Sequence, residues 1–147
     1  MNPELRHLYQ EVIIDHSRRP RNYGPLVTAN RHAEGFNPLC GDRLTVHLRL
    51  ADGIVEAAQF EGAGCAIATA SASLMTEAVK GQSVAQVEAL VTQFRALVTG
   101  AADATAMGKL DVLSGVREFP TRVKCATLAW HALHAALSGR AESVSTE

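Results

Sequence analysis

The stretch Asn37–Gly62, NPLCGDRLTVHLRLADGIVEAAQFEG, decides how this chain folds. Leu44, Val46, Leu48 and Leu50 alternate with Thr45, His47 and Arg49, the period-two pattern of a half-buried strand. Ala51, Asp52 and Gly53 break the run as a turn, and IVEAAQFEG returns from Ile54 as a second strand, making a hairpin. A shorter strand over Arg31–Asn37 completes a small three-stranded antiparallel sheet.

Helical patterns lie on either side of these strands. Between Pro3 and His16, Leu5, Leu8, Tyr9, Val12 and Ile13 recur at helical spacing, and Pro3 suits a first turn. The loop SRRPRNYGPL ends that helix. Gly62 and Gly64 bracket a tight turn, after which an alanine- and serine-rich helix opens at Cys65 and closes at Gly81. Ser83 with Gln86 three residues later is a capping-box pattern. Val87, Leu90, Val91, Phe94 and Leu97 form the apolar stripe of the helix it starts. Residues 101–119 are weakly patterned and read as a short helix and loop. Pro120 starts a last helix that stops near Gly139, and its stripe of Trp130, Leu133 and Leu137 is assigned to the core. No repeat or linker interrupts the chain. The expectation is one α+β domain over residues 1–140, a small sheet packed against several helices, with 141–147 as a flexible tail.

Composition narrows the function. Of 147 residues, 47% are hydrophobic and 20% charged, which excludes intrinsic disorder. The net charge of −1 gives no polyanion surface, so no nucleic-acid partner is expected. The N-terminal residues lack a leader-like apolar block and no run approaches a membrane span, so the expectation is a cytoplasmic protein without a membrane partner.

Three cysteines are an odd number for a disulfide framework, and a reducing compartment argues against one. Free cysteines commonly serve as small buried hydrophobes. Cys40, Cys65 and Cys125, however, all fall at ends of elements: loop to strand, helix start after a glycine turn, and early in the last helix. Ligands and nucleophiles prefer such places, and a helix N-terminus favours thiolate over thiol. Asp42 stands two residues from Cys40 on a strand and therefore faces the same side. Cys40, Asp42, Cys65 and Cys125 form a donor set for Zn2+ or an iron–sulfur cluster, too soft for magnesium or calcium. A carboxylate exchanges more readily than a thiolate, so this set suits a site that opens. Its excess negative charge calls for cations, and Arg43, Arg122 and Lys124 each lie within three residues of a ligand, Arg122 being the best choice. The spacing matches no standard zinc ribbon or finger.

The stretches LYQEVIIDHSRRPRNYG, NPLCGDRLTVHLRL, FEGAGCAIATASASLMTEAVKG and FPTRVKCATLAWHAL cover nearly the whole chain. In that order they resemble the U-type iron–sulfur cluster assembly family (IscU, SufU and the NifU N-terminal domain). The SufU branch fits better than the IscU branch. Lys124 stands where IscU-type scaffolds carry a histidine before the third cysteine, and the segment between Cys65 and Cys125 is long. The resemblance implies zinc held by Cys40, Asp42, Cys65 and Cys125. It also implies a zinc-dependent sulfurtransferase that accepts persulfide sulfur from a SufS-type cysteine desulfurase, with downstream cluster-assembly proteins as further partners. A histidine from the desulfurase would displace Cys40, the acceptor, and Arg122 matches an arginine that the family keeps near the zinc. The alternatives are a scaffold building an iron–sulfur cluster on the same three cysteines, and a structural zinc-binding protein-interaction module.

No histidine is assigned to the metal. His131 and His134 are given packing roles, His16 a structural hydrogen bond at a helix end, and His47 a place facing solvent or a sheet edge. Arg43 is expected to balance charge at the site. The apolar face of the first helix is assigned to the core rather than to a partner.

Overall fold

The computed structural model describes residues 3–101, 104–139 and the backbone of 144–145. In chain order the elements are α1 (Pro3–Arg18), β1 (Arg31–Asn37), β2 (Asp42–Ala51), β3 (Ile54–Ala63), α2 (Ala66–Val79) and α3 (Val84–Thr99). A 3-10 stretch (Gly108–Glu118), α4 (Pro120–Leu137) and a two-residue β4 (Val144–Ser145) follow. The β1–β2 and β2–β3 pairs are antiparallel, as expected, and β4 adds a short parallel edge against Gly35 and Phe36 of β1. The expected flexible tail is therefore tied to the sheet at 144–145, while 140–143 and 146–147 lie outside the described residues. Asp52 and Gly53 both take positive φ, 53° and 74°, the two-residue turn whose twist matches the flanking strands.

One face of the sheet is buried. Leu44, Val46 and Leu48 of β2 line up with Gly62, Phe60 and Ala58 of β3, and Ala33 and Gly35 continue the row on β1. Helices α2 and α4 cover this face. A Cβ on Gly35 would stand 3.0 Å from Leu128 Cδ1 and 3.2 Å from the Leu128 carbonyl oxygen, so α4 lies directly on the β1 backbone. Helix α2 is buried on nearly every side, between α1, α4, β3 and the 3-10 stretch. Its alanines and serines give neighbours the close approach that larger residues would block. Trp130 stacks on Phe94 with ring centroids 4.3 Å apart and donates from Nε1 to Ser71 Oγ at 3.1 Å, the core role expected of it.

The 3-10 stretch replaces the expected short helix and loop. Leu110, Leu113 and Val116 are buried at intervals of three, the repeat of a helix with three residues per turn.

Helix α1 is clasped to α2 through His16, which is 1% exposed. Its Nδ1 lies 2.7 Å from Ser73 Oγ, and that hydroxyl also accepts the Arg21 N–H at 2.8 Å. The other ring nitrogen, Nε2, is buried without a hydrogen-bond partner among the described residues and lies 3.8 Å from Glu77 Oε1. This is the structural helix-end role read from the sequence. Although a serine, a histidine and a glutamate converge, Ser73 is 0% exposed and no substrate reaches it.

Two outcomes follow from this packing. A Cβ on Gly62, at φ 127°, collides with the Arg43 carbonyl oxygen, whereas Gly81, at φ 86°, has open space. Gly62→Ala therefore lowers the unfolding free energy by about 3 kcal/mol and Gly81→Ala by about 1 kcal/mol, read by denaturant unfolding. Burial, more than the nearby Lys109 and Arg21 charges, holds the His16 pKa below its ordinary 6.5. Between the depressed value and 6.5 the unfolded chain binds more protons than the folded one, so stability falls as pH drops below 6.5. Melting temperatures across that range should fall with acid, and His16→Asn should flatten the slope. Burial also depresses His131, so part of the slope should survive.

Candidate metal centre

The β1–β2 hairpin, the N-terminus of α2 and the first turns of α4 meet at one end of the sheet. Among the described residues, Cys40, Asp42 and Cys125 form the one group of three or more His, Cys, Asp or Glu residues with donor atoms all within 4.8 Å. Cys40 is exposed at the tip of the hairpin, while Asp42 and Cys125 are buried. The Cys40 and Cys125 sulfurs are 3.6 Å apart, far beyond a disulfide bond and close to the roughly 3.8 Å edge of a tetrahedron of zinc thiolates.

Cys65 borders this group. It caps α2 in extended backbone conformation and its Sγ accepts the Ala68 N–H at 3.5 Å, which uses the helix-end polarity expected of it. Its backbone N–H donates to Asp42 Oδ1 at 3.0 Å. A Cβ on Gly64 would crowd the first turn of α2, 3.1 Å from Ala68 Cβ, and would touch Asp42 Oδ1 at an ordinary 3.7 Å.

The donor set fits a soft divalent cation. Asp42 is 3% exposed, and its second carboxylate oxygen, Oδ2, has no hydrogen-bond partner among the described residues. A buried carboxylate oxygen without a partner costs several kcal/mol unless a cation meets it. In the protein alone, burial pushes the Cys125 thiol strongly upward, and the Cys65 and Cys40 thiols add to the shift. A bound cation reverses that logic, because it deprotonates coordinating thiols outright. The same crowding that disfavours a lone thiolate would supply several thiolates to one bound cation.

The three candidate cations divide. Asp42 faces inward, so Arg43 must point to the opposite side of the strand. There it pairs with Glu34 and lies 4.8 Å over the Phe36 ring, both cross-strand neighbours on β1. Arg43 therefore does not balance charge at the site. Arg122 is exposed in the first turn of α4 and Lys124 is half-buried one residue before Cys125. Among the described residues neither side chain has a hydrogen bond or ion pair.

His47 also departs from expectation. It is 8% exposed, with Nδ1 2.7 Å from His32 Nδ1 and Nε2 2.8 Å from Glu61 Oε1. His47 does alternate outward, but its cross-strand partner His32 and the neighbouring Glu61 cover it. None of the histidines joins the cysteine group.

Asn37 is the polar residue the sequence reading passed over. It is 0% exposed, its Nδ2 donates to Cys125 Sγ at 3.7 Å, and its Oδ1 accepts the Leu39 N–H at 3.3 Å. Its inward parity with Ala33 and Gly35, and its place before Pro38, are the signals that could have found it.

The family model for the NifU-like N-terminal domain matches residues 8–143. The zinc-dependent sulfurtransferase SufU of Bacillus subtilis is 42% identical over 134 residues, covering 90% of each chain. The iron–sulfur cluster assembly scaffold protein IscU of Streptococcus pyogenes is 39% identical over 142 residues, covering 95% of this chain and 89% of that one. The crystal structure of a NifU-like N-terminal protein from Brucella abortus has the same fold, with a TM-score of 0.81 at 22% identity over 89% of this chain and 92% of that one. No helix among the described residues is long and apolar enough to cross a membrane.

The orphaned oxygen gives a direct test. Asp42→Asn keeps an acceptor for the Cys65 N–H but sets an amide N–H where the cation would sit. Zinc affinity, read by competition with a chromogenic chelator, should fall by about 100-fold or more. The metal-free variant should melt at or above the metal-free parent, because an uncompensated buried charge is gone.

Proposed function

The chain belongs to the NifU-like N-terminal domain family of iron–sulfur cluster assembly proteins, which includes SufU and IscU. From that premise we propose that it accepts persulfide sulfur from a SufS-type cysteine desulfurase onto Cys40 and raises the turnover of that enzyme. The observation that carries the proposal is the asymmetry of the donor set: one exposed thiol, Cys40, against a buried thiol and a buried, half-satisfied carboxylate. The similarity to a zinc-dependent sulfurtransferase supports the same reading.

Cys40, Asp42, Cys65 and Cys125 would hold the zinc. When bound, the ion supplies the positive charge that keeps the thiols as thiolates near neutral pH. The chain's own residues do the rest. The Cys40 thiolate attacks the outer sulfur of the donor persulfide. The donor S–S bond breaks, its electron pair leaves on the donor thiolate, and Cys40 carries the new S–S bond as a persulfide. One S–S bond replaces another, so no external oxidant or reductant is needed. Exposure at the hairpin tip gives Cys40 access to a partner's sulfur, while Cys125 and Asp42 stay anchored in the core. Exposed Leu39 beside Cys40 and exposed Phe119 at the start of α4 offer apolar contact around the mouth. The unpaired Arg122 guanidinium steadies the anionic sulfurs during transfer.

A cluster-assembly scaffold is the second reading, favoured by the similarity to the Streptococcus pyogenes scaffold protein over nearly the full chain. Alanine formation from cysteine by a SufS-type desulfurase separates the two. Zinc-loaded protein should raise turnover by about tenfold or more, and both Cys40→Ala and zinc removal should abolish the rise. Arg122→Ala should keep the zinc and lose most of the stimulation. Unchanged turnover, together with uptake of iron and sulfide into a coloured cluster, would establish the scaffold reading instead.

A further inference from the structure

The loop that carries Cys40 is a four-residue connection, 38–41, closed at its base by the cross-strand pair Asn37 and Asp42. Both members of that pair face inward and are buried. Asn37 grips the loop from beneath at two points. Its carbonyl oxygen accepts the Gly41 N–H at 2.9 Å and its Oδ1 accepts the Leu39 N–H at 3.3 Å. The backbone on each side of Cys40 is thereby pinned, with Gly41 supplying the left-handed turn at φ 72°. The remaining polar atom of the side chain, Nδ2, donates to Cys125 Sγ.

This leaves two sulfurs 3.6 Å apart under very different restraint. Cys125 is fully buried on α4 and receives an N–H from Asn37. Cys40 is exposed, and among the described residues its sulfur has no contact in the hydrogen-bond network apart from Cys125. An N–H bond to sulfur strengthens when the sulfur is anionic, so Asn37 holds Cys125 hardest in the state that binds metal. We infer that Asn37 is the positioning residue that decides which thiol leaves: it seats Cys125 and fixes the loop, so that Cys40 departs by turning its own side chain outward. The inference rests on the sulfur-acceptor reading above. Zinc-ligand exchange confined to one cysteine then needs no opening of the hairpin.

Two substitutions separate the parts of the grip. Asn37→Asp keeps an acceptor for the Leu39 N–H and removes the donor to Cys125. Asn37→Ala removes both and adds no charge, so agreement between the two assigns the effect to the lost donor rather than to a new carboxylate. Asn37→Ala also serves if the aspartate variant does not fold. Zinc-loaded protein is treated with limiting iodoacetamide, the modified cysteines are read by peptide mass spectrometry, and zinc release is followed with a chromogenic chelator. In the parent, Cys40 is modified first and the zinc stays bound afterwards. In the variants, modification of Cys125 relative to Cys40 rises by about tenfold, and release after Cys40 is blocked quickens by a similar factor.

A purely structural role would speed release equally before and after Cys40 is blocked, and that result overturns the inference. So does an Asn37→Asp protein with the parent's modification ratio and release rate. If the parent takes up no zinc, or loses Cys125 to the reagent before Cys40, the sulfur-acceptor reading itself falls and the inference goes with it.

Discussion

The carboxylate of Asp42 joins the two halves of this molecule. One oxygen accepts the Cys65 N–H and so ties the start of β2 to the start of α2. The other is buried without a partner among the described residues. The first bond fixes where the α2 N-terminus sits relative to the β1–β2 hairpin, which brings Cys65 to the border of the pair formed by Cys40 and Cys125. The second oxygen makes that arrangement electrostatically incomplete. A fold that buries a carboxylate for one hydrogen bond has placed a cation-shaped demand at the meeting point of three elements. The glycines serve that meeting: at Gly62 a side chain would collide with the Arg43 carbonyl, and at Gly64 it would crowd Ala68.

The period of two along β2 assigns chemistry to one face and solvent-side pairing to the other. Asp42, Leu44, Val46 and Leu48 face the helices, while Arg43, Thr45, His47 and Arg49 face away. On that outer face polar residues satisfy one another across strands: Arg43 with Glu34, His47 with His32 and Glu61, Arg49 with Glu56. The two arginine–glutamate pairs neutralise charge locally and leave the inner end of the sheet to the cysteines. Arg43 adjoins Asp42 in sequence, yet the pleat puts it on the wrong side to serve the site.

What could be read before the structure was whatever a single strand or helix encodes by its own periodicity. The β2–β3 hairpin, the Ser83 capping box and the Pro120 helix start are local signals, and all three appear where the pattern put them. Cys40 and Asp42 were paired by the same alternation, but Cys40 lies in the loop 38–41 before β2 begins, so the loop and not the pleat brings it beside Asp42. The misses depend on neighbours. The burial of His47 comes from β1 and β3, which its own strand does not reveal. Leu110, Leu113 and Val116 repeat every three residues, so a search at 3.6 finds only a weak pattern. The buried Asn37 looked like an ordinary turn residue because its partner, Cys125, is 88 positions away.

Placing the cysteines on different kinds of element gives them different exposure and different restraint. Cys125 sits on an α4 packed against the sheet, Cys65 on the cap of a helix buried nearly all round, and Cys40 on a hairpin tip in solvent. Moving either of the first two sulfurs far means disturbing the core or a helix cap, each costing about 1 kcal/mol or more. Turning Cys40 outward costs little beyond its contact with Cys125. With three thiolates as ligands the metal–sulfur bonds would be of one type, so burial together with the Asn37 contact to Cys125 would set the order of release. A substitution that loosens the hairpin without exposing Cys125 should leave that order intact, whereas one that unseats Cys125 should erase it.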